Sequence, residues 1–218
     1  MSAVLNETDL SEEAIFRSPP QISRRGTPTW EMAYFFPHQG QWTEAEYLAL
    51  DTNWIVEFTD GCVAVLPMPT VAHQRMTRYA VRQLEDYGAS LGTGEVFHAP
   101  LPLWLTEGKY REPDVIYQKV KRLSPDQKHL LGADLLMEIV SEDPRDRHRD
   151  LVTKREEYAD AKVPEYWIID PRERRVTILR LIDGRYVVHG EFVPGQIADS
   201  VVLPGFTIDV SRLFSLGE

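Results

Sequence analysis

The chain is 218 residues long and 43% hydrophobic, with 34 acidic against 24 basic residues and a formal net charge of −10. That length suits one substantial core, and the charge argues against nonspecific coating of nucleic acid, which relies on positive surface. No run of about 18 apolar residues offers a membrane span, the N-terminus lacks a secretory pattern, and Cys62 has no partner for an internal disulfide, so the expectation is an intracellular, cytoplasmic protein.

Residues 1–29 mix acidic, polar and proline-rich sequence. They read as a mobile arm or a partner-docking segment, leaving 30–218 as a single domain. Thr43 before EAEYLAL, with Glu46 three positions on, is a capping box opening a short helix to about Leu50. WIVEFTDGCVAVLP reads as a hairpin turning at Asp60-Gly61. From Thr70 to Tyr87, apolar residues at 71, 76, 80, 84 and 87 suit one helical face.

Strands are expected at 94–99, 101–105 and 113–118, the second followed by a turn at Glu107-Gly108. A basic connector with little helical character leads to Asp134, and LLMEIV then reads as a central strand. A helix is expected from Asp146 to Ala161, stopped by Val163-Pro164 because the residue before proline disfavours the helical region. EYWIID, RRVTILRLI and RYVVHGEFV follow as three strands, with Asp183-Gly184 turning the last pair. LPGFTIDVSRLF closes the chain with a short strand and a helical turn. The order implies an α/β fold with a mixed sheet flanked by helices, and it lacks the regular alternation of a doubly wound dinucleotide fold.

Two strand carboxylates stand out. Asp114 follows Pro113 and opens VIY, where capping a turn and holding a ligand are both open readings. In LLMEIV, period 2 puts Leu136, Glu138 and Val140 on one face and Leu135, Met137 and Ile139 on the other. An ionised carboxylate on a packed face is costly unless it is paired, hydrogen-bonded or bound to metal; the plainer alternatives for Glu138 are a strand end or a salt bridge. Two such residues can hold a hard divalent cation, with water and substrate completing its oxygen shell.

A lysine nearby would steady an attacking water or counter negative charge. Lys154 is the candidate, on one helical face with Asp150 and Tyr158, although a lysine among aliphatics also simply snorkels. Glu57 interrupts WIVEF as a third carboxylate, and His73, beside Gln74 and Arg75, could contact a phosphate or serve only as a polar residue near a helix start. Lys109, Arg111, Lys119, Lys121, Arg122 and Lys128 form one basic segment, and Arg145, Arg147, Arg149, Lys154 and Arg155 another. Zinc spacing, a CxxC pair, Walker A, GxGxxG and GxSxG are all missing.

REPDVIY followed by LLMEIVSEDPRDRHRDLVTKREEYADAKVPEYWIIDP resembles a bacterial restriction-endonuclease family, once classed as a domain of unknown function, within the PD-(D/E)XK nuclease superfamily. The resemblance runs from about Thr43 to Phe214. It implies a restriction-endonuclease-like core with Asp114 as first and Glu138 as second carboxylate. The usual lysine two residues further on is replaced by Val140, and Lys154 matches a lysine moved to the following helix. Glu57 matches an early glutamate of the family, in a segment whose wording departs from the usual one, and His73 a histidine in the next helix.

The likeness further implies Mg2+, or Mn2+ as substitute, and a homodimer. The expectation is therefore a DNA endonuclease. Asp114, Glu138 and the main-chain carbonyl of Ile139 would hold the ion, Glu57 would support it, and Lys154 would act on the water. The basic segments would contact phosphates, joined by Arg24-Arg25 of the arm. The rival expectations are a nuclease framework that binds nucleic acid without cutting it, and a protein-interaction module.

Overall fold

The computed structural model describes residues 36–218 except 53, 93, 120–122 and 142, and not the side chains of 144 and 145. The expected arm at 1–29, with Arg24 and Arg25, lies outside the described residues, as do Lys121, Arg122 and the Arg145 side chain. Gln39–Glu218 forms one compact unit.

Thr43 caps α1 (Glu44–Leu48): its hydroxyl accepts from the Glu46 N–H, and the Glu46 carboxylate accepts from the Thr43 N–H at 2.8 Å. β1 (Val56–Thr59) and β2 (Cys62–Val65) pair around Asp60-Gly61, both in the left-handed region that such a two-residue turn requires. α2 (Val71–Leu91) starts where the Thr70 side chain accepts from the His73 N–H and ends at left-handed Gly92, a turn beyond the expected boundary. Met76, Ala80 and Leu84 form its buried stripe, whereas Val71 stays on the surface.

The strands make two main sheets where one was expected. The first has the order β2-β1-β5-β4, with β4 (Leu103–Thr106) and β5 (Lys109–Arg111) turning at Glu107-Gly108. The β5 strand was not anticipated, because KYR carries two charges and no apolar alternation. The second sheet comprises β3 (Glu95–Phe97), β6 (Val115–Gln118), β7 (Leu135–Ile139), β8 (Glu165–Asp170), β9 (Arg175–Ile182) and β10 (Arg185–Phe192), in the order β10-β9-β8-β7-β6-β3. Its one parallel pair is β7 with β8; all other neighbours run antiparallel.

The β7–β8 crossover needs a helical connection. It is supplied by α3 (Pro144–His148), a π-helical segment at Arg149–Thr153 and α4 (Lys154–Asp160). The expected single helix over Asp146–Ala161 therefore starts earlier and carries a widened turn in its middle. A small β11 (Ile197–Asp199) and β12 (Thr207–Asp209) pair precedes α5 (Val210–Ser215).

The alternation read from LLMEIV holds in three dimensions. Leu135, Met137 and Ile139 pack with Ala80 and Leu84 of α2 and Leu213 and Phe214 of α5. Leu136 and Val140 pack on the opposite side with Tyr158 and Ala159 of α4. The sheet is thus covered on both faces, and each fully buried aliphatic there contributes about 1.5–3 kcal/mol. In the first sheet, Val56, Phe58 and Tyr110 pack with Trp42 and Tyr47, so Glu57, between Val56 and Phe58 on β1, points the other way.

Candidate active site

Asp114 closes the loop before β6, and its Oδ2 accepts the main-chain N–H of Ile139 at 2.8 Å. The same oxygen lies 3.1 Å from Nε2 of His73. Burial works against the charged imidazole, but the hydrogen bond and charge of Asp114, with the charges of Glu138 and Asp150, raise its pKa above the ordinary 6.5. One carboxylate thereby ties the first turn of α2 to the end of the central strand.

Glu138 points from β7 toward α4. Its Oε1 accepts from Lys154 Nζ at 2.8 Å and from the Tyr158 hydroxyl at 2.7 Å. Lys154 is 2% exposed and also lies 3.2 Å from Asp150 Oδ1 and 3.5 Å from Glu57 Oε1. Burial disfavours its charged form, yet Glu138, Asp150 and Glu57 outweigh that and hold the ammonium well above its usual range. Burial pushes the Glu138 carboxyl up to about 8 despite the Lys154 charge, and Asp114 and Asp150 add to the rise.

A carboxylate in a buried strand need not be functional, as Glu165 on β8 demonstrates. Both its oxygens are engaged by neutral donors: Trp167 Nε1, the Ser200 hydroxyl and the N–H groups of Val201 and Val202. Glu138 differs in kind. It faces an ammonium, repels two other carboxylates and lines an open cavity of about 190 Å³.

That cavity brings together Asp114, Glu138, Ile139, Lys154 and His73 of the expected set. Glu57 is absent from its lining and lies behind Lys154, where Arg149 and Arg111 also approach it at 3.9 and 3.7 Å. Four charged lining residues were not singled out as site residues: Asp150, Asp146, Arg149 and Glu112. Asp150 is 4% exposed, and its position four residues before Lys154 was the available signal. In the sequence Arg149 reads only as part of a basic segment, and Glu112 has no comparable pattern.

Arg111 on β5 makes a two-pronged contact with Glu157 of α4, at 2.8 and 2.7 Å, and also donates to Thr59. It locks the first sheet against the helix that carries Lys154. Arg147 of α3 grips Asp170 at the end of β8 in the same manner.

The family model "Uma2: Putative restriction endonuclease" matches residues 44–211. The chain belongs to that family. Every candidate site residue falls inside the matched range, and the match covers nearly all of the Thr43–Phe214 span expected from the motifs. A crystal structure described as "a putative nuclease belonging to DUF820", from Anabaena variabilis ATCC 29413, is similar in fold to this Uma2 chain. Its TM-score is 0.66 at 20% identity, covering 81% of this chain and 99% of that one. No curated protein matches the sequence. Among the described residues no helix is long and apolar enough to cross a membrane.

The Uma2 site can be compared with the metal that the nuclease resemblance implies. The donor set is rich in carboxylate oxygen, with the buried Glu57 Oε1 and Asp150 Oδ1 turned toward the Lys154 ammonium rather than hydrogen-bonded by neutral donors. Asp114, Asp150 and Glu138 repel one another, a strain that a cation relieves. This chemistry suits a hard divalent ion that keeps water among its ligands. Among the described residues no three His, Cys, Asp or Glu side chains converge in a ligating arrangement.

Proposed function

We propose that the chain is a divalent-metal-dependent endonuclease hydrolysing phosphodiester bonds in DNA. It would use a PD-(D/E)XK framework whose lysine is carried by the helix after the second carboxylate. The observation that carries this reading is the buried Lys154 ammonium, 2.8 Å from Glu138, on the wall of a cavity that also holds Asp114. Asp114, Glu138 and the Ile139 carbonyl are the residues that would hold Mg2+, or Mn2+ in its place. When bound, such an ion polarises a phosphoryl oxygen and lowers the pKa of a water.

Lys154 holds its proton too firmly to serve as a base. Its role is to donate hydrogen bonds, orienting the water or countering charge that develops on the phosphoryl oxygens. Glu57 and Asp150 keep that ammonium charged and aimed. His73 and the Ile139 N–H fix Asp114 through Oδ2, leaving Oδ1 for the reaction.

A second reading, DNA binding without cleavage, is favoured by one observation: Glu138 Oε1 accepts from two protein donors at once, Lys154 and Tyr158. Calorimetric titration with Mg2+ and Mn2+, alongside nicking of supercoiled plasmid, separates the two. The endonuclease reading expects ion binding that Asp114→Ala and Glu138→Ala abolish in folded protein, and nicking that both variants lose. A wild-type protein that binds DNA but leaves it intact with every divalent ion favours the second reading.

A further inference from the structure

Five basic residues of the segments that would meet phosphate are paired inside the protein. Lys109 and Arg111 pair with Glu157, Arg147 with Asp170, Arg149 with Asp146, and Lys154 with Glu138. Two other guanidinium groups lie close to the candidate site. Arg75 and Arg78, in the first turns of α2, are exposed, and among the described residues neither has an ion-pair or hydrogen-bond partner.

Their surroundings on the helix explain this. The residues three and four positions away are Val71, Ala72, Arg78 and Tyr79 for Arg75, and Gln74, Arg75, Val81 and Arg82 for Arg78. None carries a carboxylate. Arg82 differs, having Glu85 and Asp86 one turn further on, so the uncompensated charge is confined to the end of α2 nearest the cavity. The chain has ten more acidic than basic residues, yet these two neighbouring arginines carry no compensating carboxylate on their own helix face.

They also line a groove of about 520 Å³ that shares Pro69 with the wall of the candidate site. Thr77, in the same groove, donates to the His73 carbonyl at 3.0 Å and lies 3.4 Å from His73 Nδ1, the ring that meets Asp114 on its far side. One imidazole therefore separates groove from site. Side chains three apart on a helix stand roughly 5–6 Å apart at Cβ, and planar guanidinium forks match phosphate oxygens.

We propose that the Arg75–Arg78 groove is a binding track for the DNA phosphate backbone, holding the strand beside the candidate site. The inference rests on the reading that DNA is the ligand, and it is independent of whether the DNA is cut. It adds a third basic element to the two segments, within 109–128 and 145–155, expected to meet phosphate.

The test is fluorescence anisotropy of the full chain with a labelled 20-base-pair duplex, in EDTA, across a salt series. The wild type is compared with Arg75→Glu/Arg78→Glu and with Arg180→Glu/Arg185→Glu, which makes the same charge change at exposed positions on β9 and β10. The α2 variant is expected to lose affinity on the order of tenfold or more, with a salt slope shallower by about 2, while the control matches wild type. Equal affinity and slope in the α2 variant, equal losses in both variants, or no wild-type binding would overturn it. Plasmid nicking in Mg2+ is read in parallel: nicking that persists while the track fails leaves the endonuclease reading standing. Binding that depends on Arg75 and Arg78 without nicking leaves the track standing alone.

Discussion

Lys154 Nζ and Glu138 Oε1 stand 2.8 Å apart across the gap between α4 and β7, both almost wholly shielded from water. A pair so buried contributes little net stability while intact, because desolvation offsets most of the attraction, yet removing one partner is expensive. Lys154→Met should therefore cost roughly 3 kcal/mol in urea denaturation. Glu138→Gln/Lys154→Met should recover about 1–3 kcal/mol of that loss. Strict additivity of the two single changes would mean that the pair is not coupled in solution.

The same lysine separates a structural from a chemical role. If Lys154 counters charge at the reacting phosphate, Lys154→Arg and Lys154→Met should both lower kcat by roughly 100-fold or more. Lys154→Arg, which keeps the charge beside Glu138, should leave Mg2+ affinity and the pH profile nearly unchanged, whereas Lys154→Met removes the charge that holds the Glu138 carboxyl down and should move the Glu138 limb to higher pH. A profile that loses an alkaline limb in the variants would instead identify Lys154 as a titrating base.

Glu112 gives a distinct pH signature. It is buried, its Oε1 accepts from the Val56 N–H, and its Oε2 has no hydrogen-bond partner among the described residues. Burial, with the Glu57 charge adding, pushes its carboxyl from 4.5 up to about 7. A raised carboxyl holds its proton better folded than unfolded, so its contribution is fully present below pH 4.5 and is lost as pH rises through about 7. Glu112→Gln keeps the acceptor and should match wild type below pH 4.5. Above pH 7 it should be more stable, by on the order of 2 kcal/mol. Parallel stability curves for the two proteins across pH 4–9 would contradict this.

Gly94 precedes β3, which seats α2 beside β6, and lies at φ 84°. A Cβ there would fall 2.0 Å from the Tyr117 hydroxyl oxygen. Gly94→Ala should cost about 2–4 kcal/mol from the left-handed backbone and the overlap together. The readout is the thermal midpoint, with Gly132→Ala, where the added carbon meets nothing within 4 Å, as control.

Much of this molecule is written locally. The capping box at Thr43, the turns at Asp60-Gly61 and Asp183-Gly184 and the strand alternation of Leu135–Val140 depend on neighbours two to four residues away. Such signals survive in a one-dimensional reading. Glu138 and Lys154 could be singled out for the same reason: each breaks a local pattern or shares a helical face. The charged β5 strand, the division into two sheets and the π-helical turn at Arg149–Thr153 had no local signature. They are set by what the segments pack against.

The tertiary structure alone decided which charges are free. In sequence, Arg147, Arg149 and Arg155 look like a surface for phosphate, and Arg75 and Arg78 look like ordinary helix residues. Folding brings Asp170 to Arg147 and Asp146 to Arg149, and among the described residues gives Arg75 and Arg78 of α2 no ion-pair partner. Charge along a chain adds up residue by residue, but the field at a site depends on distance and burial. Those are fixed only when β7, α4 and α2 have closed around the same cavity.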